Sequence, residues 1–126
     1  MATKSDIAHH NLADLPVKAL GESITQQIIN GKDLTLSLLT LKSGASVARH
    51  SHPNEQLTYI MQGALVFRVG EALEHEFTVR AGEVLHIPAN VPHSAHALED
   101  TLDLDIFSPQ RTDWMRPGGE DYFHKR

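Results

Sequence analysis

The sequence predicts an all-β domain, an antiparallel sandwich or barrel closed by a short C-terminal tail. Turn residues recur at roughly eight-to-twelve-residue spacing, and the segments between them are rich in Val, Ile, Leu and Thr. Ahead of Pro109 no stretch keeps a helical period long enough for an ordinary helix. A chain of 126 residues is enough for one domain with its own core.

The elements follow in order. Residues 1–14 read as a weakly ordered polar arm in which His9 and His10 are solvated, and residues 15–126 as the body. Strands are expected over 17–20, 23–30 and 34–42, separated by Gly21 and by Asn30-Gly31-Lys32-Asp33, whose Asn-Gly step marks a hairpin. A turn at Lys42-Ser43-Gly44-Ala45 leads to strand 47–51, which carries two histidines, and then to 56–61, ended by Gln62-Gly63. Further strands are expected over 64–69, 74–79 and 84–87, with turns at Gly70-Glu71 and Arg80–Glu83. The loop from Pro88 to Pro92 opens into strand 93–98, and 102–107 completes the set of ten. In the tail, Trp114, Tyr122 and Phe123 are candidates to pack back on the body.

Composition excludes several classes. Eleven basic residues against 16 acidic ones give a net charge of -5, and the basic residues are scattered, which argues against a nucleic-acid surface. There is no cysteine, so any metal must sit on histidine and oxygen. No apolar run reaches the roughly 20 residues of a membrane span and the N-terminus lacks a signal-peptide core, so a soluble cytoplasmic protein is expected.

The chemistry concentrates in residues 44–63. On a strand, His50 and His52 point the same way, and Gln56 returns to that face after the Pro53-Asn54 turn. Two imidazoles and an oxygen make most of a first-row metal site. Glu55 is an alternative oxygen ligand, one residue out of phase with Gln56. Of the other histidines, His75 is expected in solvent, His86 either packs in its strand or lines the pocket, and His96 lies at the surface or an interface.

The stretch from Leu102 to Arg111 is the second informative one. Leu102, Leu104 and Ile106 share one face, while Asp103, Asp105 and Phe107 share the other. In an ordinary half-exposed strand the acids face water; in a strand lining a barrel beside the histidines they face the cavity, ionised and able to exchange protons with a substrate. Arg111 would then reach the mouth and hold a carboxylate bidentately.

The motif Gly44, five residues, His50-x-His52, Gln56, six residues, Gly63 is similar to the first cupin motif. The run Gly82, five residues, Pro88-x-Asn90, two residues, His93 is similar to the second. The resemblance implies a double-stranded β-helix, the cupin jelly-roll barrel, with a metal held by His50, His52, the Gln56 position and His93, and a homodimer. The chain departs from the pattern at Gln56, where most cupins carry Glu, at Asn90 in place of Gly, and at Ala97 in place of Asn. The amide leaves the centre one unit more positive than a three-histidine, one-glutamate set, which favours polarising a substrate oxygen over stabilising an oxidised iron.

With its Ala-Leu-Glu-Asp and Leu-Asp-Ile-Phe-Ser-Pro-Gln-Arg stretches added, the sequence resembles the small pectin-degradation cupins of the KdgF type. Those proteins convert 4,5-unsaturated monouronates, the end products of pectate and alginate lyases, into linear keto sugar acids. The resemblance implies a ligand set that includes Gln56, catalytic roles for Asp105, Phe107 and Arg111, and a divalent nickel, zinc, manganese or iron. It also implies a sugar acid as the small-molecule substrate. Two rival functions remain at this stage. One is a mononuclear iron dioxygenase. The other is a non-catalytic small-molecule binder, for which the helix-turn-helix domain usual in sensory cupins has no room.

Overall fold

The computed structural model describes residues 3–115. Tyr122 and Phe123, expected to pack on the body, lie outside the described residues. All ten expected strands form: β1 (Lys18–Ala19), β2 (Ile24–Asn30), β3 (Thr35–Leu41), β4 (Ser46–His50), β5 (Glu55–Gln62), β6 (Ala64–Val69), β7 (His75–Arg80), β8 (Val84–Ile87), β9 (His93–Ala97) and β10 (Thr101–Ser108). The only helical pieces among the described residues are 3-10 turns at Lys4–Asp6, Leu12–Asp14 and Thr112–Met115.

The strands form two antiparallel sheets, ordered β1-β2-β3-β10-β5-β8 and β4-β9-β6-β7. The chain crosses between the sheets after β3, β4, β5, β7, β8 and β9, which is the winding of a jelly roll. Between them lies a core built on Ile24, Leu39, Leu41, Ile60, Leu65 and Phe67. Each belongs to the inward set of its strand, because alternation sends every second side chain to the same face.

Two backbone positions fix the connections around the site. Gly63, at φ +87 between β5 and β6, leaves no room for a Cβ against the Asp100 carbonyl and Thr101, so only glycine fits. Asn90 is left-handed at φ 67, which asparagine tolerates better than other residues with side chains. This accounts for its standing where the motif usually has glycine. Its N–H donates to the His52 carbonyl at 2.8 Å, tying the β8–β9 loop to the histidine turn. Ala97, in place of the motif's asparagine, is buried at the end of β9 and paired by backbone to Gly44 and Ala45.

Candidate metal centre

The two histidines of the His-x-His pair converge by a route other than strand alternation. β4 ends at His50, with an irregularity between Val47 and His50 against β9, and His52 sits in the turn that follows. His93, first residue of β9, is the register partner of His50. The three rings stand with centroids 5.8 Å (His50–His52), 4.3 Å (His50–His93) and 5.0 Å (His52–His93) apart. One nitrogen of each lies within 4.8 Å of the others.

Backbone carbonyls beside the rings fix which nitrogens those are. Nδ1 of His50 contacts the Ala48 carbonyl at 2.7 Å, that of His52 the Asn54 carbonyl at 3.0 Å, and that of His93 the Val91 carbonyl at 2.8 Å. A carbonyl only accepts, so each Nδ1 carries the proton and each Nε2 presents a lone pair to the centre. The Nε2 of His93 is buried with no hydrogen-bond partner among the described residues. Burial, with neighbouring positive charge as a smaller cause, lowers the pKa of His50 to about 3 and of His52 to about 4, and lowers that of His93 as well. Three neutral imidazoles with converging lone pairs are the form a metal binds, and the residues fit one.

β5 begins at Glu55, and alternation sends Gln56, Thr58 and Ile60 inward while Glu55, Leu57 and Tyr59 face out. Glu55 is therefore not in the histidine cluster: its carboxylate pairs with exposed His86 at 2.7 Å on the outer face, which also takes His86 out of the pocket. Gln56 Oε1 lies 3.1 Å from His52 Nε2. The other half of the amide donates to Thr58 Oγ1 at 2.8 Å, and that hydroxyl donates to Asp105 Oδ1 at 2.7 Å. Thr58 thus orients the amide so that oxygen, not nitrogen, faces the histidines. Two acceptors 3.1 Å apart cannot hydrogen-bond to each other, but they can share a cation.

β10 runs beside β5 with Phe107 opposite Gln56, Asp105 opposite Thr58 and Asp103 opposite Ile60. Asp103, Asp105 and Phe107 are buried, whereas Ile106 is exposed and Leu102 and Leu104 half-buried, so the acid-bearing face lines the cavity. The alternative of water-facing aspartates is excluded. Burial and the neighbouring Asp105 raise the Asp103 carboxyl well above its ordinary pKa. Burial also raises Asp105, against the lowering contacts of Asp103, Thr58, Arg111 and Gln56. Both shifts favour the protonated form over two full charges, and the rise is the larger at Asp103.

Arg111 is buried and lines the same cavity as His50, Gln56, His93 and Asp105. Its guanidinium lies 3.8 Å over the Trp114 ring and 4.8 Å from the Phe107 centroid. Its Nε and Nη2 donate to the two carboxylate oxygens of Asp113 at 2.9 and 2.7 Å. Trp114 packs against the core, as expected of it. Three positions here were missed by sequence reasoning: Thr58, Asp113 and Asn54. Thr58 was signalled by sharing the Gln56 phase, and Asp113 by standing two residues from Arg111. Asn54, buried and holding the carbonyls of Pro109 and Gln110, connects segments 55 and 56 residues apart and has no local signal.

A jelly-roll barrel with three converging imidazoles, two of them buried, an amide oxygen and paired acids defines a class, the small β-barrel proteins that can hold a metal in the mouth of the barrel. The chain belongs to the cupin family, whose Cupin_2 cupin-domain model matches residues 37–108. Its structure is similar to that of KdgF from a Halomonas species, with TM-score 0.73 and 28% identity, over 81% of this chain and 94% of that one. An RmlC-like cupin from Shewanella frigidimarina, at TM-score 0.74 and 22% identity over 81% of this chain and 90% of the other, shares the fold. The rat (Rattus norvegicus) 3-hydroxyanthranilate 3,4-dioxygenase is 38% identical over 58 residues, 45% of this chain. The match spans about a fifth of the dioxygenase, 20% of its length.

Proposed function

We propose that this cupin converts 4,5-unsaturated monouronates to linear keto sugar acids at a divalent metal held by His50, His52, His93 and Gln56. The observation that carries the reading is the connected run from His52 through Gln56 and Thr58 to Asp105, which joins the ligand set to a buried acid in one cavity. The likeness to KdgF supports it. Bound nickel, zinc, manganese or iron would supply Lewis-acid polarisation of substrate oxygens.

This chain's own residues do the rest. Arg111 supplies the cavity's fixed positive charge for the uronate carboxylate, and Phe107 forms a wall for the sugar face. The reaction is an isomerisation. A proton leaves the anomeric hydroxyl, the bond from C1 to the ring oxygen breaks, and the resulting enolate becomes a ketone as C4 takes a proton. Asp105, its carboxyl raised by burial beside Asp103, accepts the first proton and returns the second.

The test is the ultraviolet absorbance of the conjugated double bond, which vanishes on conversion. Metal-loaded protein should speed the loss over spontaneous ring opening, and a chelated sample and His52→Ala should not. No acceleration with metal bound would overturn the reading. The local similarity to the dioxygenase favours one second reading, a mononuclear iron dioxygenase, which predicts oxygen uptake with small aromatic or carbonyl substrates.

In this reading the chain also pairs with a second copy. The outer face of the larger sheet carries Leu57, Tyr59, Met61, Val84 and Ile106, each more than a third exposed and adjacent across β5, β8 and β10. An apolar sheet face of this kind is a surface that self-association would cover.

A further inference from the structure

The Arg111–Asp113 ion pair stands between two spaces. Arg111, its side chain 1% exposed, lines the inner cavity with Gln56, His93 and Asp105. Asp113, its side chain 29% exposed, lines an outer groove with Lys32, His52, Asn54 and Gln110. His52 borders the groove as well, so the groove, the ion pair and the histidine cluster adjoin one another.

The pair has the geometry of a ligand complex. Two parallel N–H···O bonds of 2.9 and 2.7 Å to one carboxylate are the fork-to-fork contact by which arginine recognises a small carboxylate. The arginine is held from other directions too. Trp114 lies 3.8 Å beneath its guanidinium, and its backbone N–H donates to buried Thr35 Oγ1 at 2.8 Å. Asn54 fastens the two preceding carbonyls, of Pro109 and Gln110. The arginine is thus built into the barrel, while the carboxylate opposite it belongs to a short, partly exposed side chain on the groove side.

We propose that Asp113 is a specificity-determining stand-in for the substrate carboxylate: it occupies the Nε–Nη2 edge of Arg111, and only a ligand whose own carboxylate replaces it there gains the inner cavity. Neutral sugars of the same shape leave the pair closed. The proposal takes its probe from the uronate reading, but the ion pair stands without it. An occupied edge lowers apparent affinity by the fraction of molecules in which it is free, so weakening the internal competitor should tighten carboxylate binding. A mere strut predicts the reverse, since its loss loosens Arg111.

The experiment uses metal-loaded full-length protein and the unreactive probe galacturonate, with galactose as the neutral control. Trp114 is the only tryptophan, so its fluorescence reports on the guanidinium stacked against it. In the unsubstituted protein galacturonate should change that emission saturably and galactose should not. In Asp113→Asn, which keeps the shape and removes the charge, calorimetry should show galacturonate bound about tenfold more tightly. Unchanged or weaker binding in the variant, equal responses to both sugars, or no galacturonate binding in either protein would overturn the proposal. Should Asp113→Asn fail to fold, the fluorescence contrast in the unsubstituted protein decides alone. Tighter galacturonate binding without turnover of the unsaturated uronate would remove the uronate reading and keep this one; turnover with no tightening would do the opposite.

Discussion

Gln56 sets the charge of the centre and Thr58 sets its direction. With an amide where most cupins have a carboxylate, a metal held there would meet three imidazoles and a neutral oxygen, and the Thr58 hydroxyl ties that amide to buried Asp105. Gln56→Ala should therefore lower metal affinity by roughly 10–100-fold, read as metal content after dialysis against a weak chelator. Unchanged retention would make water the fourth ligand, because Glu55 is committed to His86 on the outer face. Asp105→Asn keeps the shape and removes the ionisable carboxyl. Turnover of the unsaturated uronate should fall by roughly 10²–10⁴-fold with metal content and melting temperature preserved, and full activity would remove Asp105 from the mechanism.

At the scale of elements, the site is a meeting of three. The β4–β5 turn brings His50, His52 and Gln56, the start of β9 brings His93, and β10 brings the acids. Holding three imidazoles neutral inside the barrel has a pH signature in metal-stripped protein. Their folded pKa values, about 3 for His50, about 4 for His52 and lowered for His93, lie below the ordinary value of 6.5. As pH drops below 6.5 the unfolded chain gains protons that the folded one refuses, so stability falls by up to about 1.4 kcal/mol per pH unit for each histidine. Asp103 and Asp105 work the other way. Their raised values mean that, above pH 3.8, the folded state keeps protons the unfolded state has released. The two trends oppose each other between pH 6.5 and 4.5, and removing one of the acids exposes the histidine loss. Melting temperature against pH should show it, and Asp103→Asn should raise stability near pH 7 and steepen the acid loss. A profile that is flat in Asp103→Asn as well as in the unsubstituted protein would mean that the imidazoles are not held neutral.

For the whole molecule, the larger sheet has two unlike faces. The inner one carries the core and the site, and the outer one exposes Tyr59 at 41% and Val84 at 60%, paired across β5 and β8. Tyr59→Glu, which puts a charge at the centre of that face, should convert a dimer to monomer in sedimentation with metal binding retained. A monomer in the unsubstituted protein would leave the face without that partner.

Sequence alone determined the ten strands and the residue classes of the site, because both rest on local rules. Period-two alternation and turn chemistry mark strands within a few residues, and the Gly, His and Pro spacings of the two cupin motifs each span only two consecutive strands and the turn that joins them. It also paired Asp103, Asp105 and Phe107 on one face of β10, since that too is alternation. Which face turned inward was beyond it, because Leu102, Leu104 and Ile106 made an equally apolar candidate for the core. Packing decided that by placing β10 between β3 and β5. The choice of Gln56 over Glu55 was likewise a matter of which phase of β5 met the histidines. The occupied edge of Arg111 was decided by a tail folded back over the barrel mouth, fastened by Asn54 and Thr35 from 55 and 76 residues away. Contacts at that separation depend on the closed barrel, and no local pattern encodes them.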